Sequence, residues 1–155
     1  QLRPPDAVPG RARVATADDL PLLIDWVATF AREIQPDMRG PASDTERAVT
    51  SRLSATQSGF MLWKDDDGPA SLAGWGAPTP RGIRIGPVYT PSDKRSRGYG
   101  TAVTAAVSEL QLASGRQFCF LYTDLDNPTS NSIYMRIGYE PVCDSVDYVF
   151  EPASS

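Results

Sequence analysis

The segment Arg95-Ser96-Arg97-Gly98-Tyr99-Gly100-Thr101 is the part of this chain best suited to bind a charged ligand. Two glycines one residue apart remove side chains where a backbone must come close to a guest, and they stand where an amphipathic helix pattern begins. The N–H groups of a helix's first turn have no intrahelical acceptor, and the helix dipole adds partial positive charge there. Arg95 and Arg97 put guanidinium charge beside those amides. A diphosphate is the natural guest of such a turn. The same glycines also fit a plain tight turn from strand to helix, with both arginines solvated. A Walker loop would end in Gly-Lys-Ser or Gly-Lys-Thr, and a dinucleotide fold would need a third glycine and an acidic residue about 20 positions on. Neither pattern is present.

A second group follows downstream: Asn127-Pro128-Thr129-Ser130-Asn131-Ser132-Ile133-Tyr134, then Gly138-Tyr139. Taken with the first, it carries a resemblance. Arg95, Gly98 and Gly100 match each specified position of the coenzyme A pyrophosphate loop in the GCN5-related N-acetyltransferase (GNAT) family. The later stretch is similar to that family's asparagine, small residue, helix-borne tyrosine and Gly-aromatic pair. The resemblance is specific over about Ile83 to Phe150 and only architectural before that.

The resemblance implies an α/β fold with a mixed, mostly antiparallel sheet, in which a parallel strand pair splays apart to admit the pantetheine arm. Acetyl-CoA would be the co-substrate. Unpaired backbone groups near Val88, Tyr89 and Thr90 would bind the arm and polarise the thioester carbonyl. The amides of Arg97, Gly98, Tyr99, Gly100 and Thr101 would hold the pyrophosphate, with Arg95 beside them. Asn127, Ser130 and Asn131 would touch the cofactor, although capping and turn formation account for Asn127 and Ser130 equally. Tyr134 matches the general acid: a phenol of ordinary pKa near 10 is protonated at neutral pH and can donate to a departing thiolate. The strand Gly82 to Thr90 carries no carboxylate to act as general base, which leaves Asp124, directly or through water, or a water chain, although Asp124 could equally cap the following loop. Trp63, Trp75 and Tyr89 are candidates for the acceptor side, with core packing the better reading for the two tryptophans. The reaction implied is direct attack of an amine on acetyl-CoA in a ternary complex. A non-catalytic acyl-CoA-binding module or a partner-binding domain is the rival reading.

Composition narrows the field independently. The chain has 155 residues and no histidine. Ser-His-Asp and Cys-His mechanisms, His-ligated zinc and His proton shuttles are therefore excluded. The formal charge of −4 argues against a nucleic-acid partner and weakly favours a small cationic amine. Cys119 and Cys143 alone cannot make a zinc site, and their apolar surroundings suggest buried thiols. No metal is expected, and the run Asp65-Asp66-Asp67-Gly68 reads as a turn. No apolar run reaches the roughly 18 residues of a membrane span. A reducing, cytoplasmic location fits, and a homodimer is an open option.

The elements that must position these groups follow from periodicity. Residues 1–10, with Pro4, Pro5, Pro9 and Gly10, read as a linker after an upstream domain, and residues 11–152 as one domain. A short strand at Arg11–Ala15 leads to a capping box at Thr16 and Asp19 and a helix ending at Pro36. A polar second helix follows, capped by Ser43 or Asp44. Gly59–Lys64 and Leu72–Trp75 form a hairpin, and Ile83 to Val88 adds a third strand. Gly98–Ser114 is an amphipathic helix stopped by Gly115. Gln117–Tyr122 reads as a central strand buried on both faces. A short helix at Asn127–Ile137 ends at Gly138, and Tyr139–Cys143 with Val146–Phe150 is expected as a closing hairpin.

Overall fold

The computed structural model describes residues 1–3, 5–36 and 40–146. Five strands lie side by side in chain order: β1 (Arg11–Val14), β2 (Gly59–Asp65), β3 (Gly68–Gly76), β4 (Gly82–Tyr89) and β5 (Phe118–Phe120). The first four are antiparallel neighbours, and β5 runs parallel to β4. Helices α1 (Leu20–Ile34) and α2 (Ala42–Ser54) pack on one face and α3 (Tyr99–Ala113) on the other, while α4 (Pro128–Arg136) follows β5.

The period-two alternation of the strands divides the core between these faces. Phe60, Leu62, Leu72 and Tyr89 meet Leu23 and Trp26 of α1 and Val49 of α2. Their neighbours Met61, Ala73, Ile83 and Ile85 meet Val103 and Val107 of α3. Each fully buried side chain of this size contributes roughly 1.5–3 kcal/mol of transfer free energy. The expected capping box starts α1: the Thr16 N–H donates to the Asp19 carboxylate at 2.8 Å. The hairpin turn also forms as expected, with the Asp67 N–H donating to Asp65 Oδ1 at 2.9 Å and Gly68 at φ 120°.

Several expectations are corrected. The second helix begins after Pro41, not at a Ser43 or Asp44 cap, and Asp44 pairs instead with Arg47 at 2.7 Å. Gln117–Tyr122 is not buried on both faces: among the described residues β5 is a three-residue edge strand, with Phe118 46% and Tyr122 61% exposed. An apolar run reads as buried on both faces from composition alone. Here Cys119 and Leu121 pack toward α3, whereas Phe118, Phe120 and Tyr122 form an aromatic row along the other face. Tyr139–Cys143 forms no strand, and the second arm of the expected hairpin lies outside the described residues beyond Val146. The Tyr139 hydroxyl meets Ser108 Oγ of α3 at 2.7 Å, and its N–H donates to Tyr134 O at 3.0 Å, which draws this segment toward α3. Cys143 is exposed, not buried; Cys119 is half-buried, and burial pushes its thiol up to about 11.

The proline-rich start is extended but docked. The Arg3 N–H donates to Ile137 O at 2.9 Å, Trp63 Nε1 donates to Pro9 O at 2.9 Å, and a Cβ on Gly98 would sit 3.1 Å from Val8. Among the described residues, no helix is long and apolar enough to cross a membrane.

Candidate cofactor and acceptor site

Two departures from regular sheet geometry create the site. The pairing of β4 with β5 covers only Gly82–Phe118, Ile83–Cys119 and Arg84–Phe120. Among the described residues no strand faces the outer edge of β4 beyond Arg84, so one residue of each adjacent pair presents its N–H and C=O there without a ladder partner. Meanwhile the register between β3 and β4 shifts, Ala73 opposing Val88 but Trp75 opposing Ile85. The extra residue bulges at Gly86 and Pro87, opposite Gly74.

The edge leads directly to the glycine turn. Ser96 and Gly98 adopt φ 63° and 83°, so the chain turns sharply on either side of Arg97 before α3 begins. Gly98 is the N-cap, and the N–H groups of Tyr99, Gly100 and Thr101 open the helix without intrahelical acceptors. Gly100 allows this turn to approach the strand: a Cβ there would lie 3.4 Å from Thr90 Oγ1 and 3.9 Å from Val88 Cγ1. The structure thus brings Val88, Thr90, Gly98, Tyr99, Gly100 and Thr101 together.

Several polar groups of this region are already engaged. Tyr89 O accepts from Ser71 Oγ at 2.9 Å, and Thr90 O accepts from Arg95 Nε at 2.8 Å. The Arg95 guanidinium meets Glu33 of α1 at 2.8 Å and lies 5.8 Å from the centre of the Tyr89 ring. Its charge, expected beside the turn, is therefore neutralised, and it fastens α1 to the end of β4. Arg97 is exposed and, among the described residues, has no carboxylate within 4.0 Å. Tyr89 itself sits against Trp26, ring centres 5.7 Å apart; burial and the nearby Glu33 raise its phenol above the ordinary range.

Asp65 was legible only as a turn residue, yet it holds this loop. Lys94 Nζ reaches its Oδ2 at 2.8 Å, and the Tyr99 hydroxyl donates to the same oxygen at 2.8 Å. Chiefly because of Lys94, with Tyr99 and the Asp67 N–H adding to it, the Asp65 carboxyl is lowered to about 2. Lys94 ahead of the glycines and Tyr99 between them were the sequence signal for such an anchor. Among the described residues, no cluster of three His, Cys, Asp or Glu side chains is placed to hold a metal.

On α4 the asparagines do local work. Asn127 Oδ1 accepts from the Ser130 N–H at 3.2 Å as the helix cap, and Asn131 Nδ2 donates to Asp124 O at 3.2 Å. The Asp124 carboxylate, expected as a base, accepts from the Asp126 N–H at 2.9 Å and closes its own exposed turn. Tyr134 is half-buried against Tyr139, ring centres 6.2 Å apart, and desolvation raises its phenol. Trp63 and Trp75 pack against the core on the α3 face, the favoured of their two readings.

The opposite face near the bulge carries two arginines that sequence reading missed. Arg52 of α2 lies over β3 and donates through Nη1 to Gly86 O at 2.7 Å. Arg84 stands beside it and stacks on Tyr122 at 4.9 Å. A cavity of about 490 Å³ lies elsewhere, at the C-terminal end of α3 around Leu110, Gly115 and Arg116.

The family model described as FR47-like protein matches residues 64–147. No curated protein sequence matches the chain. Solved structures do. A transcriptional regulator from Bacillus halodurans is 17% identical with a TM-score of 0.74, over 91% of this chain and 99% of that one. Aminoglycoside N-acetyltransferase AAC(6')-Iy, in complex with CoA, is 15% identical with a TM-score of 0.74, over 96% and 99%. A predicted acetyltransferase with acetyl-CoA from Clostridium acetobutylicum is 12% identical with a TM-score of 0.71, over 90% and 95%. At these identities the likeness establishes the fold.

Proposed function

Because the chain belongs to the FR47-like family, which is related to the GNAT acetyltransferases, we propose that it is an acetyl-CoA-dependent N-acetyltransferase acting on a small-molecule amine. The observation that carries this reading is the junction of the unpaired β4 edge with the glycine turn. Gly100 sits against Val88 and Thr90, so an acyl-bearing arm along β4 leads straight to a diphosphate at the start of α3. AAC(6')-Iy in complex with CoA and the Clostridium acetobutylicum protein with acetyl-CoA support the choice of cofactor.

Each group then has a task. The N–H groups of Gly98, Tyr99, Gly100 and Thr101 hold the diphosphate, with Arg97 adding charge from solvent. Arg95 and Asp65 position that turn, one through Glu33 and Thr90, the other through Lys94 and Tyr99. Free amides on the β4 edge beyond Arg84 polarise the thioester carbonyl. The amine attacks that carbonyl carbon, the C–N bond forms, the C–S bond breaks, and the Tyr134 hydroxyl protonates the departing thiolate. The ammonium proton leaves to water at the open face, since Asp124 is engaged with Asp126.

Thiol release from acetyl-CoA, measured with a panel of amines, tests this reading. Turnover with at least one amine is the expected result. Acetyl-CoA binding without turnover on any amine would favour a non-catalytic binding module, and no binding at all would overturn the cofactor assignment.

A further inference from the structure

We propose that the acceptor amine carries a carboxylate, which Arg52 and Arg84 hold on the open face of the sheet beside the β4 bulge. The inference rests on the acetyl-transfer reading and adds to it the chemistry of the second substrate.

The register places both arginines in one basin. Gly76 is the β3 partner of Arg84, so the Arg84 side chain leaves the sheet on the side to which a Gly76 Cβ would point. A Cβ there would lie 3.2 Å from Arg52 Nη2, and one on Gly74 would lie 2.6 Å from Arg52 Nη1 and 2.8 Å from Gly86 O. The Arg52 guanidinium thus rests on a floor of bare backbone that any larger residue would fill. Phe60 lies beneath it at 5.3 Å, and Tyr122 backs Arg84.

The electrostatics of this basin are one-sided. A half-buried guanidinium ordinarily pairs with a carboxylate, because a desolvated charge without one is costly. Among the described residues, neither Arg52 nor Arg84 has a carboxylate within 4.0 Å. Of the five guanidinium N–H donors of Arg52, one is used on Gly86 O. Burial and the nearby Arg84 both lower the Arg52 pKa from its ordinary value, and an anion placed between the two guanidinium groups would offset both effects. A polycationic acceptor would be repelled here. An α-amino acid brings one carboxylate for the two guanidinium groups and an amine close enough to reach the bulge, where the arm along β4 ends.

The test compares acceptors that differ only in this charge. Thiol release is followed with the common α-amino acids, their α-carboxamides and an aminoglycoside, while calorimetry records acetyl-CoA affinity separately. The acids are expected to be used, with KM at least about tenfold lower than the carboxamides. Arg84→Gln should erase that difference by raising KM for the acids, with carboxamide KM and acetyl-CoA affinity unchanged. Arg52→Gln should act alike, and exposed Arg84 keeps the test decisive if that variant fails to fold. Equal use of acids and carboxamides, a preference for the aminoglycoside, turnover of no acid by protein that binds acetyl-CoA, or an inert Arg84→Gln would each overturn the proposal. Failure to bind acetyl-CoA would instead overturn the underlying enzyme assignment.

Discussion

The Tyr99 hydroxyl donates to Asp65 Oδ2 at 2.8 Å, across 34 residues of sequence, and so ties the start of α3 to the β2–β3 hairpin turn. Lys94 grips the same carboxylate from the other side of the glycine turn. The loop proposed to hold the diphosphate is therefore anchored at both ends by one aspartate of the hairpin turn.

Asp65→Ala should weaken acetyl-CoA binding about tenfold by freeing both ends of the turn, with little change in kcat at saturating cofactor. Isothermal titration against acetyl-CoA reads the affinity, and unchanged affinity would refute the positioning role.

The same anchor has a defined pH window. The Asp65 carboxyl is lowered from 3.8 to about 2, so its stabilising effect is fully present above pH 3.8 and is lost as pH falls toward 2. Lys94 is raised from 10.5, so its share is present below that value and is lost only as pH climbs through the raised one. Thermal unfolding should show a wild-type advantage over Asp65→Asn at pH 7 that shrinks below pH 3.8 and disappears only below about pH 2.

Tyr134→Phe should lower kcat by roughly 100-fold and leave the acetyl-CoA affinity unaltered. Because desolvation raises this phenol, the wild-type rate should not fall through loss of the acid until the pH exceeds the ordinary tyrosine value of 10.0. A steady-state pH profile checks both statements; a falling limb centred below that value would point to another acid.

Gly98→Glu should abolish measurable acetyl-CoA binding. It puts a carboxylate on the helix N-terminus, and at φ 83° any side chain costs about 1 kcal/mol in backbone strain. Gly98→Ala, with the strain but without the charge, should reduce affinity far less, which separates electrostatics from geometry.

Deleting residues 1–8 should lower the melting temperature by about 2–4 °C, corresponding to roughly 1 kcal/mol in a chain of this size. The Arg3–Ile137 hydrogen bond and the Val8 contact are lost. A melting temperature identical to that of the full chain would restore the linker reading.

Local pattern determined much of this protein. The three- and four-residue steps of α1 and α3, the alternation of β2 to β4, the hairpin turn at Asp65–Gly68 and the glycine start of α3 all follow from interactions within a few residues, which periodicity and turn chemistry record directly. The glycine turn from Gly98 to Thr101 is legible for the same reason, whereas Tyr134 stood out only through the family resemblance. What a side chain meets across the sheet is not written in its neighbours. Only the β3–β4 register and its bulge place Arg52 over Gly86, and only the folded hairpin brings Asp65 to Lys94 and Tyr99. Tertiary packing alone turned Arg95 toward Glu33, left β5 at the edge of the described sheet and docked Arg3, Val8 and Pro9 against the domain. Those outcomes depend on long-range pairing, in which a shift of one residue would move every partner to the other face.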